Sequence, residues 1–238
     1  MSGNTVIYHH NIFDGATVAS TNNYAYNLFD GVVSITDAIT LAATTEYVQM
    51  DYGSSVACDY VAVTRFTDAT GGDITLKVYC DTALVTTQTI GSSNQVYVFE
   101  FDSTSGQVWK VEWSDQSGGE IIGNLYLGQK TDFGAKNIDG GYTPPPYSPE
   151  DEIVNNITDG GFFISRYVRV GGYSFTIPLR LMPEDEAAWQ AFMDKAEVDP
   201  FFVKTYNYTA CAWLTEDPQY QYQQFLWRQA DLTCEGIV

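Results

Sequence analysis

Asn27-Leu28-Phe29-Asp30-Gly31, followed by Tyr47-Val48-Gln49-Met50-Asp51-Tyr52-Gly53, decides how this chain is read. The first segment is an apolar pair running into an Asp-Gly turn, where a side-chain carboxylate and a residue tolerant of unusual backbone angles favour reversal. The second alternates apolar and polar residues and stops at a glycine, the pattern of a half-buried strand. Together they open an antiparallel β-sandwich, and the rest of the first half continues in the same way.

Cys58–Phe66 alternates well, and Asp68-Ala69-Thr70-Gly71-Gly72-Asp73 is a turn. Ile74–Tyr79 and Leu84–Ile90 form a hairpin pair, followed by strands at Val96–Phe101, Gln107–Trp113 and Ile121–Gly128. Short strands at regular spacing imply a sandwich or jelly roll over residues 1–128. Ala16–Ser20 adds a short β-prone run before the Asp-Gly corner.

Composition agrees. The 238 residues include 17 Tyr and 13 Phe but only 11 Lys and Arg, which suits twisted sheets better than a helical bundle. Thirty acids bring the net charge to −19. Both halves are acidic, with no basic stripe, so a nucleic-acid backbone is an unsuitable partner. No apolar run reaches the roughly 18 residues that a membrane helix needs. Met1–Thr5 carries neither the basic start nor the apolar core of a secretory signal, so synthesis and assembly in a cytoplasm are expected, or else export by some other route.

Residues 129–160 differ in character. Pro144-Pro145-Pro146-Tyr147 cannot join a sheet interior, and Phe133, Tyr142, Tyr147 and Ile153 recur as docking points along what reads as an extended arm. Tyr142, Pro144, Pro145, Pro146 and Tyr147 are the candidate assembly interface, contacting a neighbouring subunit or packing within the chain. Residues 161–238 form a β-rich assembly module. Its opening strands, Gly161–Val170 and Tyr173–Leu181, are expected to pair as a hairpin across Gly171-Gly172.

One amphipathic helix, 183–197, follows. Pro183 suits its first turn, Glu184, Asp185 and Glu186 suit its positive end, and Trp189, Phe192, Met193 and Ala196 share a face. Phe201–Tyr206, Ala210–Leu214 and Tyr222–Arg228 are further strands.

No constellation for catalysis stands out. There is no G-x-S-x-G elbow, and with so many acids a chance carboxylate pair means little, so no enzymatic activity is expected. Adjacent residues on a strand face opposite sides, so His9-His10 reads as a terminal polar segment rather than a metal site. Asp30, Asp37 and the acids of Asp68–Asp73 offer hard oxygen ligands for Ca2+, or serve simply as turn formers. Tyr24, Tyr26 and Tyr97 are candidates to stack on a glycan, against the alternative of core packing. Cys58, Cys80, Cys211 and Cys234 lack a C-x-x-C pattern and are expected to be buried free thiols, with Cys58–Cys80 and Cys211–Cys234 as the conceivable pairings.

The first half resembles discoidin-like, galactose-binding-like β-sandwiches. The matching pieces occur in the family's order: Ala16–Ser20, the Asn27–Gly31 corner, Tyr47–Gly53, Asp59–Val63, Trp109–Trp113 and Ile121–Leu127. That resemblance implies a Ca2+ site near the start of the sandwich, to which Asp30 contributes. The second half looks like a module that follows such sandwiches in tailed-bacteriophage virion proteins of distal-tail type. Leu125–Gly128, the proline-containing arm, Gly161–Arg166, Phe175–Phe192 and Pro200-Phe201-Phe202 carry that likeness.

The two resemblances imply a mainly β protein, a jelly-roll or discoidin-like sandwich followed by a β-rich module with one helix. They imply a structural part of a phage tail tip or baseplate, made in the host cytoplasm and located in the virion. It is expected to form a homo-oligomeric ring around the tail tube, to contact other tail proteins, and to present or anchor host-recognition parts. The alternative is a carbohydrate-binding adhesin module recognising host-surface glycans.

Overall fold

A computed structural model describes residues 5–13, 19–20, 28, 39–40, 45–66, 73–91, 96–115, 121–133, 152–157, 163–169, 173–205, 208–223 and 227–237. In chain order the first strands are β1 (Val6–Tyr8), β2 (Ala19–Ser20), β3 (Ile39–Thr40), β4 (Thr45–Phe66), β5 (Ile74–Cys80), β6 (Ala83–Ile90), β7 (Val96–Asp115) and β8 (Ile121–Gly128). Then come β9 (Thr131–Asp132), β10 (Glu152–Ile157), β11 (Phe163–Arg169), β12 (Tyr173–Leu181), helix α1 (Glu186–Ala196), β13 (Phe201–Lys204), β14 (Thr209–Leu214), β15 (Gln219–Gln223) and β16 (Trp227–Ile237).

The protein is mainly β. The sandwich is one hydrogen-bonded sheet, ordered β3-β8-β4-β7-β5-β6 with β2 on β4, folded back on itself. Its two long strands make the fold. The front of β4, Thr45–Asp51, pairs with the back of β7, Val108–Ser114, while Tyr60–Thr64 pairs with Val96–Glu100. Register shifts between Asp51 and Val56 and between Cys58 and Tyr60 mark the bend, as bulges do where a sheet must turn a corner. What read as two strands on each side, Tyr47–Tyr52 with Cys58–Phe66 and Val96–Phe101 with Gln107–Trp113, are therefore two continuous ones.

The layers enclose one core. Trp109, Val111 and Trp113 of β7 pack with Val61 and Val63 of β4, Leu76 and Val78 of β5, and Leu125 and Leu127 of β8. Both indoles are fully buried and keep a polar partner. Trp109 Nε1 donates to the Val56 carbonyl at 3.1 Å, and Trp113 Nε1 to Glu46 Oε2 at 3.2 Å. Among the described residues all four cysteines are free thiols and all are buried.

A second sheet runs β12-β16-β14-β13-β1-β9, with β15 on β16. The helix covers one face of it. Trp189, Phe192, Met193 and Ala196, the face expected from the sequence, pack on Phe175, Ile177, Leu179, Phe201, Val203 and Leu232. A 3-10 turn at Pro183–Asp185 leads into this helix, and Asp185 Oδ2 accepts the Met182 N–H at 2.8 Å.

Four sequence expectations need correction. Strand β1 pairs with β13 and β9, so Val6–Tyr8 belong to the second sheet rather than to a sandwich spanning 1–128. The opening of the 129–160 arm is likewise structured: Thr131–Asp132 is an edge strand of that sheet, and Phe133 sits against Trp189 in its core. Among the described residues, the expected hairpin of Gly161–Val170 with Tyr173–Leu181 does not form. Phe163–Arg169 pairs back onto Glu152–Ile157, and Tyr173–Leu181 takes nine consecutive partners from β16. Local alternation cannot choose between partners, and a nine-residue register with a buried face outweighs a short local turn. The expected Tyr222–Arg228 strand is likewise divided between β15 and β16, which pair with each other.

The other face of the second sheet packs on the sandwich. Tyr60, Ala62, Val96 and Tyr126 meet Val6, Tyr8, Phe202 and Cys211. Tyr8 lies edge-on to Tyr60 at 4.9 Å, and Tyr126 to Phe202 at 5.1 Å. Tyr126 donates to the Pro200 carbonyl at 2.8 Å. At the margin Glu100 accepts hydrogen bonds from Tyr8 (2.8 Å), Lys204 (3.3 Å) and Lys130. Burial alone would raise the Glu100 carboxyl, but the Lys130 and Tyr8 bonds overcome it and hold it at about 2. The chain crosses this junction tightly: a Cβ on Gly128 would lie 2.0 Å from the His10 carbonyl oxygen.

Candidate functional site

An open recess lies where the β5–β6 turn meets the bend of β7. Cys80 and Ala83 are paired across the two-residue turn Asp81-Thr82. Asp81 adopts φ 54°, which the short loop of a hairpin requires and which Asp tolerates. Its Oδ1 accepts the N–H groups of Gln107 and Val108, each at 3.0 Å, and its own N–H donates to the Val108 carbonyl at 2.6 Å. The hairpin is thereby clamped to β7. Gly106 permits the clamp, since a Cβ there would lie 2.2 Å from Cys80 Sγ and 2.9 Å from Asp81 Oδ2.

A cleft of about 700 Å³ lies beside this clamp, lined by Cys80, Asp81, Ala83, Leu84, Val85, Phe101, Asp102, Thr104 and Ser105. Phe101 forms an aromatic wall, its ring 6.5 Å from that of Trp109. Leu84 is 54% exposed, one of two large hydrophobic side chains so exposed among the described residues. The same lining includes two carboxylates, Asp81 and Asp102, and two hydroxyls, Thr104 and Ser105. Thr104 Oγ1 donates to the Asp102 carbonyl at 2.9 Å, leaving the hydroxyl lone pairs as acceptors.

Asp51 braces the same bend. Its Oδ1 accepts from Gly53 N–H at 2.8 Å and from Gln107 Nε2 at 2.9 Å, and these two donors hold its carboxyl below the usual range. Burial raises the Cys80 thiol, as it does Cys58, so neither is a ready nucleophile. A lining that combines apolar surface with carboxylates and hydroxyls can hold a polar ring; it contains no base positioned on a nucleophile.

Of the residues singled out from sequence, Tyr97 is half-buried on β7, stacked on Phe99 at 5.9 Å, and donates its hydroxyl to the Gly91 carbonyl. Tyr97, Phe99 and Phe101 alternate along one strand face and pack against the sandwich core, so Tyr97 stands on the same face as the cleft's aromatic wall. Tyr24, Tyr26 and Asp30 lie outside the described residues, as do Tyr142, Pro144, Pro145, Pro146 and Tyr147. Asp37 and Asp68 do too, while Asp73 is exposed. Among the described residues no three His, Cys, Asp or Glu side chains converge as metal ligands.

His9 is not the terminal polar residue its neighbourhood suggested. Its ring stands edge-on to Phe192 at 5.4 Å, with Nδ1 3.5 Å from Thr131 Oγ1. Burial, with smaller contributions from His10 and Lys195, lowers it to about 4.

Sequence reasoning missed Asp81, Leu84, Phe101 and Asp102. Two signals pointed to them: an acidic two-residue turn between alternating strands, and an aromatic run, Val96–Phe101, breaking into Asp102-Ser103-Thr104-Ser105-Gly106.

No known family model matches the sequence, and no curated protein does. Among solved structures, the chain is similar to the family 32 carbohydrate-binding module from Streptococcus pneumoniae EndoD, at 18% identity over 50% of this chain and 99% of that one, with a TM-score of 0.39. It is similar to the family 32 module from C. perfringens NanJ in complex with galactose, at 18% identity over 48% and 93%, with a TM-score of 0.37. A chitosan-binding module from a chitosanase/glucanase of Paenibacillus sp. IK-5 is similar at 17% identity over 53% and 100%, with a TM-score of 0.37. Likeness at this level assigns no ligand and no residue role.

Proposed function

We propose that this chain is a non-catalytic carbohydrate-binding protein. Its sandwich holds a glycan in the cleft at the β5–β6 turn, and its second sheet and helix serve as the base that carries the sandwich. One observation supports this reading above others: a cleft of about 700 Å³ is lined by Phe101 and Leu84 together with the hydroxyls of Thr104 and Ser105 and the carboxylates of Asp81 and Asp102. Sugars present apolar C–H faces and polar edges, and they are held by that combination of stacking surface and convergent polar groups. The chain's likeness to modules named for carbohydrate binding agrees with this choice but does not carry it.

The test is glycan binding by the full chain on an array, followed by calorimetry. Leu84→Glu, on the exposed wall, is expected to weaken binding at least tenfold with an unchanged melting temperature. A conservative Phe101→Tyr is expected to retain it. Binding indifferent to Leu84→Glu, or no glycan bound at all, would contradict the proposal.

A second reading is kept for the base: a structural component of a phage tail tip or baseplate, forming a ring with other tail proteins and located in the virion. The observation favouring it is that β1 is inserted between β13 and β9, so the two ends of the chain form one sheet from which the sandwich projects. In that reading Tyr142–Tyr147 supplies subunit contacts, and Asp30 belongs to a Ca2+ site of the sandwich.

A further inference from the structure

The cleft at the β5–β6 turn carries charge of one sign. Asp81 and Asp102 line it, and none of the chain's 11 Lys and Arg does. The fold neutralises neither carboxylate. On strand β7, Glu100 pairs with Lys130 and Lys204, and Glu112 pairs with Lys77 and Lys110. Asp102, between them in sequence, is exposed, and its carboxylate has no ion pair and no hydrogen bond among the described residues. Asp81 Oδ1 accepts only the neutral N–H groups of Gln107 and Val108, and its Oδ2 accepts no hydrogen bond among the described residues. Those two bonds hold the Asp81 carboxylate in place, so a ligand need not order it.

We infer that the cleft selects glycans by charge: it takes sugars bearing a free, protonated amine in preference to their N-acetylated forms, and it rejects uronates and other acidic sugars. This selectivity rests on the cleft being a glycan site, as proposed above, and names the class of sugar. An ammonium group placed here gains two uncompensated carboxylates, and the ring of Phe101 favours a cation that reaches its face. An acidic sugar would bring a further negative charge beside them, in a chain that already carries −19. A bare metal ion is the weaker candidate. It needs several converging oxygen ligands, and no three acidic, His or Cys side chains converge among the described residues. An amino sugar supplies the charge together with a ring for the apolar surface of Leu84 and Phe101. Because the site is open to water, the preference is modest, about fivefold to tenfold in affinity.

The test uses the full chain and an array carrying glucosamine and galactosamine oligomers, each in free-amine and N-acetylated form, beside neutral oligosaccharides and oligouronates. Calorimetry then gives the ratio of affinities for each matched pair. The free-amine form is expected to bind more tightly, and the oligouronates are expected not to bind. Salt at about 1 M, which screens charges more than about 3 Å apart, is expected to bring the ratio close to one. Asp102→Asn is expected to lower the ratio at least twofold. Glu216→Gln, an equal change in net charge at an exposed position between β14 and β15, is expected to leave it as it is. A wild-type ratio of one or less, or an oligouronate bound more tightly than the free-amine oligomers, would overturn the selectivity. So would Glu216→Gln lowering the ratio as far as Asp102→Asn does, since the general field would then be responsible. Neutral glycans binding without any preference for the amine would remove the charge selection and leave the glycan site standing. No glycan of any charge binding would remove both.

Discussion

Ile74–Cys80 and Tyr60–Val63 lie in the same sheet but are composed differently. The first alternates buried and half-buried residues along its length, whereas Tyr60-Val61-Ala62-Val63 is buried at every position. Strand β5 belongs to the outer layer and has solvent on one face. The Tyr60–Val63 part of β4 has the sandwich core on one face, through Val61 and Val63, and the second sheet on the other, through Tyr60 and Ala62. Phe201-Phe202-Val203 repeats the pattern from the opposite side, with Phe202 facing the sandwich and its neighbours facing the helix. Alternation therefore marks the outside of this molecule and uninterrupted apolar runs mark its two middle layers.

The sharpest way to break that contrast is to truncate a side chain in each environment. Trp109→Ala empties a fully buried position and is expected to cost about 3–5 kcal/mol. Thr75→Ala, on the half-exposed face of β5, is expected to stay within about 0.5 kcal/mol. Urea unfolding monitored by far-ultraviolet circular dichroism measures both, and equal losses would dissolve the distinction between layers.

A smaller effect separates the two faces of the second sheet by pH. His9, on the helix side, is held at about 4 in the fold against an ordinary value of 6.5. The unfolded chain therefore takes up its proton first, and the stability His9 contributes is complete above pH 6.5 and falls between pH 6.5 and 4, by an amount on the order of 2 kcal/mol. Glu100, on the sandwich side, lies at about 2 against 4.5, so its contribution is present above pH 4.5 and is lost as pH falls toward 2. Because Glu100 is largely open to solvent, that second loss is expected to be under about 1 kcal/mol. Thermal melts from pH 7 to pH 2 should lose the first step in His9→Phe and the second in Glu100→Gln. A first step that survives in His9→Phe would remove His9 from the helix contact.

The same contrast explains what was legible in the sequence. The Ile74–Ile90 hairpin, the helix with its Trp189, Phe192, Met193 and Ala196 face, and the mainly β class all follow from local periodicity, which burial on one side imposes. Partner choice does not follow from periodicity. Val6–Tyr8 finds its neighbours at Phe202–Lys204, nearly the whole chain away, and Tyr173–Leu181 prefers Arg228–Gly236 to the strand that precedes it. The candidate site was legible only in part. Tyr97 lies on the same strand face as Phe101 but outside the cleft's lining, and the cleft depends on Phe101 and on a turn of acceptable but unremarked sequence, Asp81-Thr82. Two segments distant in the chain make that site only after β4 and β7 have bent.

The most direct measurement is a glycan titration of isotopically labelled full-length protein followed by NMR, using a sugar identified on the array. Amide and methyl shifts confined to Asp81–Val85 and Phe101–Ser105 are the expected result, with the Tyr60, Tyr126 and Phe202 layer unmoved. Shifts centred on the second sheet or on the outer face around Lys110 and Tyr79, with the cleft silent, would contradict a binding sandwich organised around the β5–β6 turn.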